Sequence, residues 1–201
     1  VEEPVLPELD AEFVKAFGVE DGLIESFQKD IRDNMEREMK RALHSRTKSS
    51  VMDQLFDRNT ISLPNALVQD EVNDLIKPYK ESARKQKQNV DEAALKTQLE
   101  PMARRRVALA LILGKLIDAH NVTAEPSRVR TAVEDVAAGY QDAAEVVRWY
   151  YADPSRLRDI ENMVLEDLVV EKIISLAKCS EVNISFQDLM KAATGNAPLA
   201  A

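Results

Sequence analysis

Apolar side chains recur at spacings of three and four along most of the chain, the mark of amphipathic helices, and an all-β reading finds almost no support. Residues 1–9 carry two prolines and alternate acidic with apolar residues, which suits an extended linker arriving from another domain. Asp10 then caps a short predicted helix, 11–17, that stops at Gly18, and Val19 to Gly22 turn the chain. Between Gly22 and Pro64 run 41 residues without glycine or proline, and 11 of the 23 residues from Gln28 to Ser50 are charged. This stretch predicts one long helix. Its apolar row is Leu23, Ile24, Phe27, Ile31, Met35, Met39, Leu43, Val51, Leu55 and Phe56, so one side is expected to be buried and the rest wetted. About 35 helical residues span about 50 Å, against a radius of gyration of about 16 Å for a compact chain of this size. Such a helix is expected to protrude from the fold or form its spine.

After Pro64 the pattern becomes one of paired helices. Leu67, Val68, Val72, Leu75, Ile76 and Tyr79 mark a helix expected to bend near Pro78, followed by a polar tip turning at Asn89-Val90-Asp91. The return helix carries Leu95, Leu99 and Met102, is expected to be interrupted at Pro101, and becomes strongly apolar from Val107 to Ile117. A wet tip on an apolar base predicts a projecting hairpin. A second unit follows His120-Asn121-Val122. Its first helix opens at Glu125-Pro126 with the row Val129, Val133, Val136 and Tyr140, and Gly139 and Asp142 end it. Residues 143–151 form a short helix, and Asp153-Pro154 starts another with Leu157, Ile160, Val164, Leu168, Val169, Ile173 and Leu176. The last element begins at Ser185 with Asp188 three residues on, a reduced capping box, and the tail after Thr194 is expected to be disordered. No fixed-period repeat marks a solenoid, which leaves helical repeats as a weak competitor.

Composition sharpens this all-α reading. In 201 residues there are 5 glycines and 8 prolines, aromatics are 5% and charged residues 31%, as in a helical protein with much exposed surface. The formal net charge of −8 speaks against non-specific attraction to nucleic acid or anionic lipid. The lone Cys179 cannot close an intramolecular disulfide, suits a reducing compartment, and is read as a buried inert thiol. The run Val107 to Leu113 falls far short of the roughly 20 residues that cross a bilayer, and no secretory signal is visible. The opening Val1-Glu2-Glu3 lacks an initiator methionine, so the chain is expected to be a piece of a longer protein.

Candidate chemistry is sparse. His44 and His120 lie 76 positions apart, and neither has a second histidine or a cysteine at ligand spacing, so no metal site is expected. Carboxylates at Glu36, Glu38 and Glu161 to Glu171 are interleaved with basic residues, as on solvated helix faces. No glycine-rich phosphate loop, nucleophile elbow or cysteine–histidine pair points to a cofactor or to catalysis. Arg104-Arg105-Arg106 spread around about 200° of a helix, which favours intramolecular pairing over one basic contact face. The surplus is apolar: Val136, Tyr140, Val146, Trp149, Tyr150 and Tyr151 lie on short broken helices. They either pack the hairpin to its neighbours or, as a group, form a surface for adaptable recognition of apolar segments.

Particular motifs carry a family resemblance over nearly the whole chain. They are Leu6-Pro7-Glu8-Leu9 with Ala11-Glu12-Phe13, Phe17 to Gly22, Asn34 to Glu38, and Pro64 with Leu67-Val68. Arg104-Arg105-Arg106-Val107 followed by Leu109, Leu111 and Leu113-Gly114, and Ala138, Tyr140 and Asp142, complete the set. In order and spacing these resemble the C-terminal domain of the trigger factor family of bacterial ribosome-associated chaperones. The resemblance implies an elongated helical body (residues 10–63, with a closing helix at 182–194) and two arms, about 64–120 and 121–179, enclosing a cradle. It implies cytoplasmic, ATP-independent binding of unfolded or nascent polypeptides, assisting folding and export. The implied client contacts are Leu75 and Tyr79 on the first arm and Val136, Tyr140, Val146 and Trp149 on the second. The family's ribosome-docking and prolyl isomerase segments do not occur in this sequence, so the fragment is expected to have neither activity, although the parent would be a peptidyl-prolyl isomerase. The first helix of the family's domain comes from an upstream linker, and without it an apolar groove on the body is expected to stand open. The competing expectation is a helical scaffold for homo-oligomerisation, such as a homodimer, or for docking of one folded partner. A periplasmic chaperone with a similar helical core is a third.

Overall fold

The computed structural model describes residues 9–87, 91–140 and 142–193, with residue 193 described by its backbone alone. Among them are eight α-helices and no strand: α1 (Ala11–Ala16), α2 (Ile24–Arg58), α3 (Asn65–Lys85), α4 (Glu92–His120), α5 (Pro126–Ala137), α6 (Ala143–Tyr151), α7 (Pro154–Leu176) and α8 (Phe186–Ala193). The fold is all-α. The expected linker before Leu9, the tip at Asn89-Val90 and the tail from residue 194 lie outside the described residues. The chain divides into two compact units, one taking in the described residues up to Thr47 and from Glu181, the other Lys48–Ser180.

In the first unit, Asp10 caps α1 by accepting the Phe13 N–H at 2.8 Å. The turn into α2 needs left-handed backbone at Gly18 (φ +89°) and Gly22 (φ +67°), and a Cβ on Gly22 would meet Lys15 Cε at 2.9 Å. Asp21 then accepts the Leu23 N–H at 2.8 Å and the Ser26 hydroxyl at 2.6 Å, tying down the start of α2. Phe13, Phe17 and Phe27 cluster with ring centroids 4.8–6.1 Å apart. At the start of α8, Ser185 and Asp188 form the reduced capping box, with the Ser185 hydroxyl donating at 2.6 Å and the Asp188 N–H at 3.2 Å.

The second unit holds three small cores. Val68, Val72 and Ile76 of α3 meet Leu99, Ala103 and Val107 of α4. Met52 of α2 meets Leu113 of α4 and Val169 and Val170 of α7, and Val129 and Val133 of α5 meet Ile160 and Val164 of α7. Ion pairs fix the antiparallel register: Lys80–Glu92 at 2.8 Å and Arg106–Glu71 at 3.0 Å between α3 and α4, and Arg128–Glu171 at 3.0 Å between α5 and α7. The three consecutive arginines go three ways, Arg104 to Glu100 of its own helix, Arg105 to Asp53 of α2 and Arg106 to α3.

Three expectations need correction. α4 continues through Pro101 without the expected interruption, and Pro78 lies inside the helix α3. The carbonyls deprived of a donor belong to Asp74 and Thr97, which are exposed, so the missing bond falls on the solvent side while buried Ile76 and Ala103 hold the helices together. The apolar row of α2 is not buried along its length: Met52 is the one buried residue of the helix, whereas Ile31 and Met35 are 43% and 42% exposed. The elements beside its first half, α1 and α8, are six and eight residues long, too short to cover a row of five turns. Cys179 is exposed rather than buried, because it follows the end of α7 in a segment without regular structure.

Lys48 of α2 lies half-buried between Asp167 at 2.8 Å and Glu166 at 3.0 Å, both on α7. Burial alone would lower its pKa, but the hydrogen bonds and charges of the two carboxylates outweigh it and hold the ammonium above its ordinary 10.5. A raised lysine pKa contributes stability that is complete below 10.5 and disappears as pH rises through the folded value. A double-mutant cycle with Lys48→Met and Asp167→Asn is expected to give a coupling of about 1 kcal/mol by urea unfolding at pH 7 that fades at the alkaline limit. Ile76→Ala, at 1% exposure, should cost about 3 kcal/mol in the same assay. Tyr79→Ala, at 51% exposure, should cost under about 0.5 kcal/mol.

Candidate functional site

The chain between α5 and α7 places its aromatics by capping and by a short turn. Asp142 accepts the Glu145 N–H at 2.9 Å and starts α6. Only Ala152 and Asp153 separate α6 from α7, where Pro154 occupies the first position with Asp153 as its cap. A nine-residue helix held at both ends presents Val147 and Tyr150 to the α5–α7 core and leaves its other side to solvent.

Toward solvent Tyr140, Glu145, Val146 and Trp149 line an open hollow of about 380 Å³, and half-buried Tyr150 reaches it from the core side. Tyr140 is 61% and Trp149 51% exposed. The Trp149 and Tyr150 rings meet edge to face at 5.0 Å, and the Arg156 guanidinium lies 3.9 Å from the centre of the Trp149 ring. The hollow offers wide aromatic walls with one carboxylate at the rim, which suits burial of an apolar side chain rather than covalent chemistry.

Of the six residues assigned to client contact, Tyr140, Val146 and Trp149 are therefore brought together around one hollow. Val136 is half-buried against the α5–α7 core and Leu75 against the α3–α4 core. Tyr79 stands exposed on α3. Sequence reasoning missed Glu145 at the rim and Arg156 on the indole. The available signal was a tryptophan and an arginine on opposite sides of a turn marked by Asp153-Pro154.

Two further apolar surfaces occur. Ile31, Met35 and Met39 of α2, with Phe186 of α8, line an open groove of about 640 Å³. On the hairpin, Leu67, Val107 and Leu111 lie in a shallower trough of about 250 Å³ flanked by Asp70, Glu71, Asp74 and Arg106. Among the described residues no cluster of three or more histidine, cysteine, aspartate or glutamate side chains is arranged to hold a metal, and no helix is long and apolar enough to cross a membrane.

The sequence matches the family described as bacterial trigger factor protein (TF) C-terminus over residues 24–175. It is 38% identical over 191 residues to the trigger factor of Azoarcus sp. (strain BH72) and 41% over 192 residues to that of Laribacter hongkongensis. Identity to the trigger factor of Nitrosomonas europaea is 35% over 190 residues. Each alignment takes in 94% of this chain but only 43–44% of the relative, so the chain spans less than half the length of the curated relatives it matches.

The turn that carries Trp149 has a built-in acid limit. The N–H and hydroxyl of Ser155, each 2.9 Å from Asp153 Oδ1, hold that carboxyl below its ordinary 3.8; slight burial opposes them, and Arg156 and Arg158 add to the lowering. A depressed carboxylate stabilises above its unfolded pKa and loses that contribution as pH falls through the folded one. Trp149 emission should therefore stay constant from neutral pH down to about 4 and shift only below 3.8. In Asp153→Ala, which removes the acceptor for both Ser155 donors, it should already be shifted at pH 7.

Proposed function

The chain belongs to the bacterial trigger factor C-terminal family, and from that membership we propose that it is an ATP-independent chaperone domain holding unfolded or nascent polypeptides on exposed apolar side chains. The observation that carries this reading is the hollow walled by Tyr140, Val146, Trp149 and Tyr150, where the rings of Tyr140, just before α6, and Trp149, on it, stand largely in solvent. Residues 64–120 and 121–179 act as the client-contacting arms. Leu75, Tyr79 and Val136 add to the contact surface where a client displaces water from their exposed edges. Each contact contributes about 25 cal/mol per Å² of apolar area before ordering costs, so binding is weak, broad and indifferent to exact sequence. The longer protein adds prolyl isomerase activity and ribosome docking through segments of other sequence, and it acts in the cytoplasm on chains that are folding or awaiting export.

A second reading is favoured by a different observation. The exposed row Ile24, Ile31, Met35 and Leu43 has helical spacing, and Ile31 and Met35 of it line the groove shared with Phe186. A straight row of this kind suits one helix of a folded partner or of a second copy better than a disordered client. Sedimentation velocity separates the two: a dimer that dissociates in Ile31→Asp/Met35→Asp supports the scaffold, and a monomer at all concentrations removes self-association.

For the chaperone reading, light scattering of a chemically unfolded protein diluted into buffer should fall with increasing amounts of this chain, without ATP. Tyr140→Ser/Trp149→Ser should need at least about threefold more chain for half-suppression, with far-UV ellipticity unchanged. Equal suppression by the double variant would remove the α6 hollow as a contact surface, and no suppression by the folded wild type would remove the chaperone reading for this fragment.

A further inference from the structure

We propose that Arg156 is the positioning residue of the aromatic hollow, locking the Trp149 ring as one of its walls; what the ring is for rests on the chaperone reading, whereas the locking rests on geometry alone. Arg156 is the third residue of α7, where the positive end of the helix dipole disfavours a cation. Three contacts account for its place there. Its Nη1 donates to the Trp149 carbonyl at 2.9 Å, its Nε lies 3.5 Å from Asp153 Oδ2, and its guanidinium covers the indole at 3.9 Å.

The carbonyl contact is specific to this turn. At the end of α6 the Ala152 N–H goes to Arg148 at 2.9 Å and the Asp153 N–H to Tyr150 at 3.4 Å, and both pass over the carbonyl of Trp149. Arg156 supplies that carbonyl with a donor and puts its charge at the negative end of α6. One planar group thus fixes both the backbone and the ring of a single residue. The hollow is lined by Tyr140, Glu145, Val146, Trp149 and Tyr150, and the guanidinium covers the indole without being one of its walls. A half-exposed tryptophan would otherwise change rotamer on a picosecond to nanosecond scale, and ordering it would fall on the binding step. A wall fixed in advance removes that cost from every client. Lysine cannot replace it: a point charge cannot lie flat on the indole and reach the carbonyl together.

Trp149 is the single tryptophan in the chain, so its fluorescence reads this position directly. Arg156→Met and Arg156→Lys are compared with the wild-type chain by acrylamide quenching, far-UV ellipticity and anisotropy of fluorescein-labelled, reduced and carboxymethylated α-lactalbumin, which stays unfolded in buffer. Both variants should keep wild-type ellipticity, show a steeper quenching slope, and bind the probe about fivefold more weakly. A folded variant with wild-type quenching overturns the locking, and steeper quenching with wild-type affinity overturns the role of the locked ring in binding. If Arg156→Met loses helicity, Arg156→Lys decides by the same two readouts. If the wild type fails to bind the probe, the chaperone reading falls, and an unmoved quenching slope then overturns the positioning role on its own terms.

Discussion

Helices in this protein approach one another over valine and alanine, and that closeness decides what the rest of the molecule does with its larger side chains. The bulkiest side chains buried to below 2% exposure are Ile76 and the valines at 14, 68, 72, 133 and 169, and no aromatic ring is among the buried residues described. A seam between two helices about 8–10 Å apart accepts such residues more readily than it accepts a tryptophan. Phe17, Tyr79, Tyr140, Trp149 and Tyr151 therefore lie at edges. Exposed rings on the α6 side are thus compatible with a well-packed interior, since the valine seams close without them.

Thin layers also require some helices to serve twice. α4 turns Leu99, Ala103 and Val107 toward α3 and, farther along, Leu109, Leu113, Leu116 and Ile117 toward α2 and α7. α7 gives Ile160 and Val164 to α5, then Val169, Val170, Ile173 and Ile174 to the core shared with α2 and α4. Both helices accordingly have apolar residues on more than one face, which is what a buried crossing element requires. No polar side chain is buried among the described residues; charge sits at the edges of the seams, where Arg105, Arg106, Arg128 and Lys48 bind carboxylates on neighbouring helices. Pairs in such positions add little energy but penalise a slipped register, because sliding one helix by a turn separates several at once.

Much of the helical layout was legible because its boundaries have chemical markers. Pro126, Asp142 and the Asp153-Pro154 pair delimit α5, α6 and α7, and Asp10 with Gly18 delimits α1. Periodicity reads spacing and not partners, and the remaining errors follow from that. The row from Ile31 to Leu43 has the same spacing as Val68 to Ile76, yet only the second meets a helix of matching length. Pro101 resembles a break in the chain, and only the packing of Leu99 and Ala103 on either side of it reveals it as tolerated. Within the hollow, Tyr140 and Trp149 were recognisable as large side chains on broken helices. Glu145 and Arg156 were not, since their roles come from a turn whose geometry no single residue encodes.

Two of the three cores in the second unit close over neighbouring stretches of chain: one spans residues 63–107, the other 124–168. Only the core around Met52, reinforced by the Lys48–Asp167 contact across 119 residues, joins distant segments. Contacts made mostly between sequence neighbours shorten the search that folding entails, so each hairpin can assemble once its own two strokes of chain are available, leaving the long-range closure for last. Vectorial synthesis presents these segments in that order. The protein is thereby equipped to reach its own native state quickly and in pieces, with little time spent in the aggregation-prone condition of the chains it is proposed to shelter.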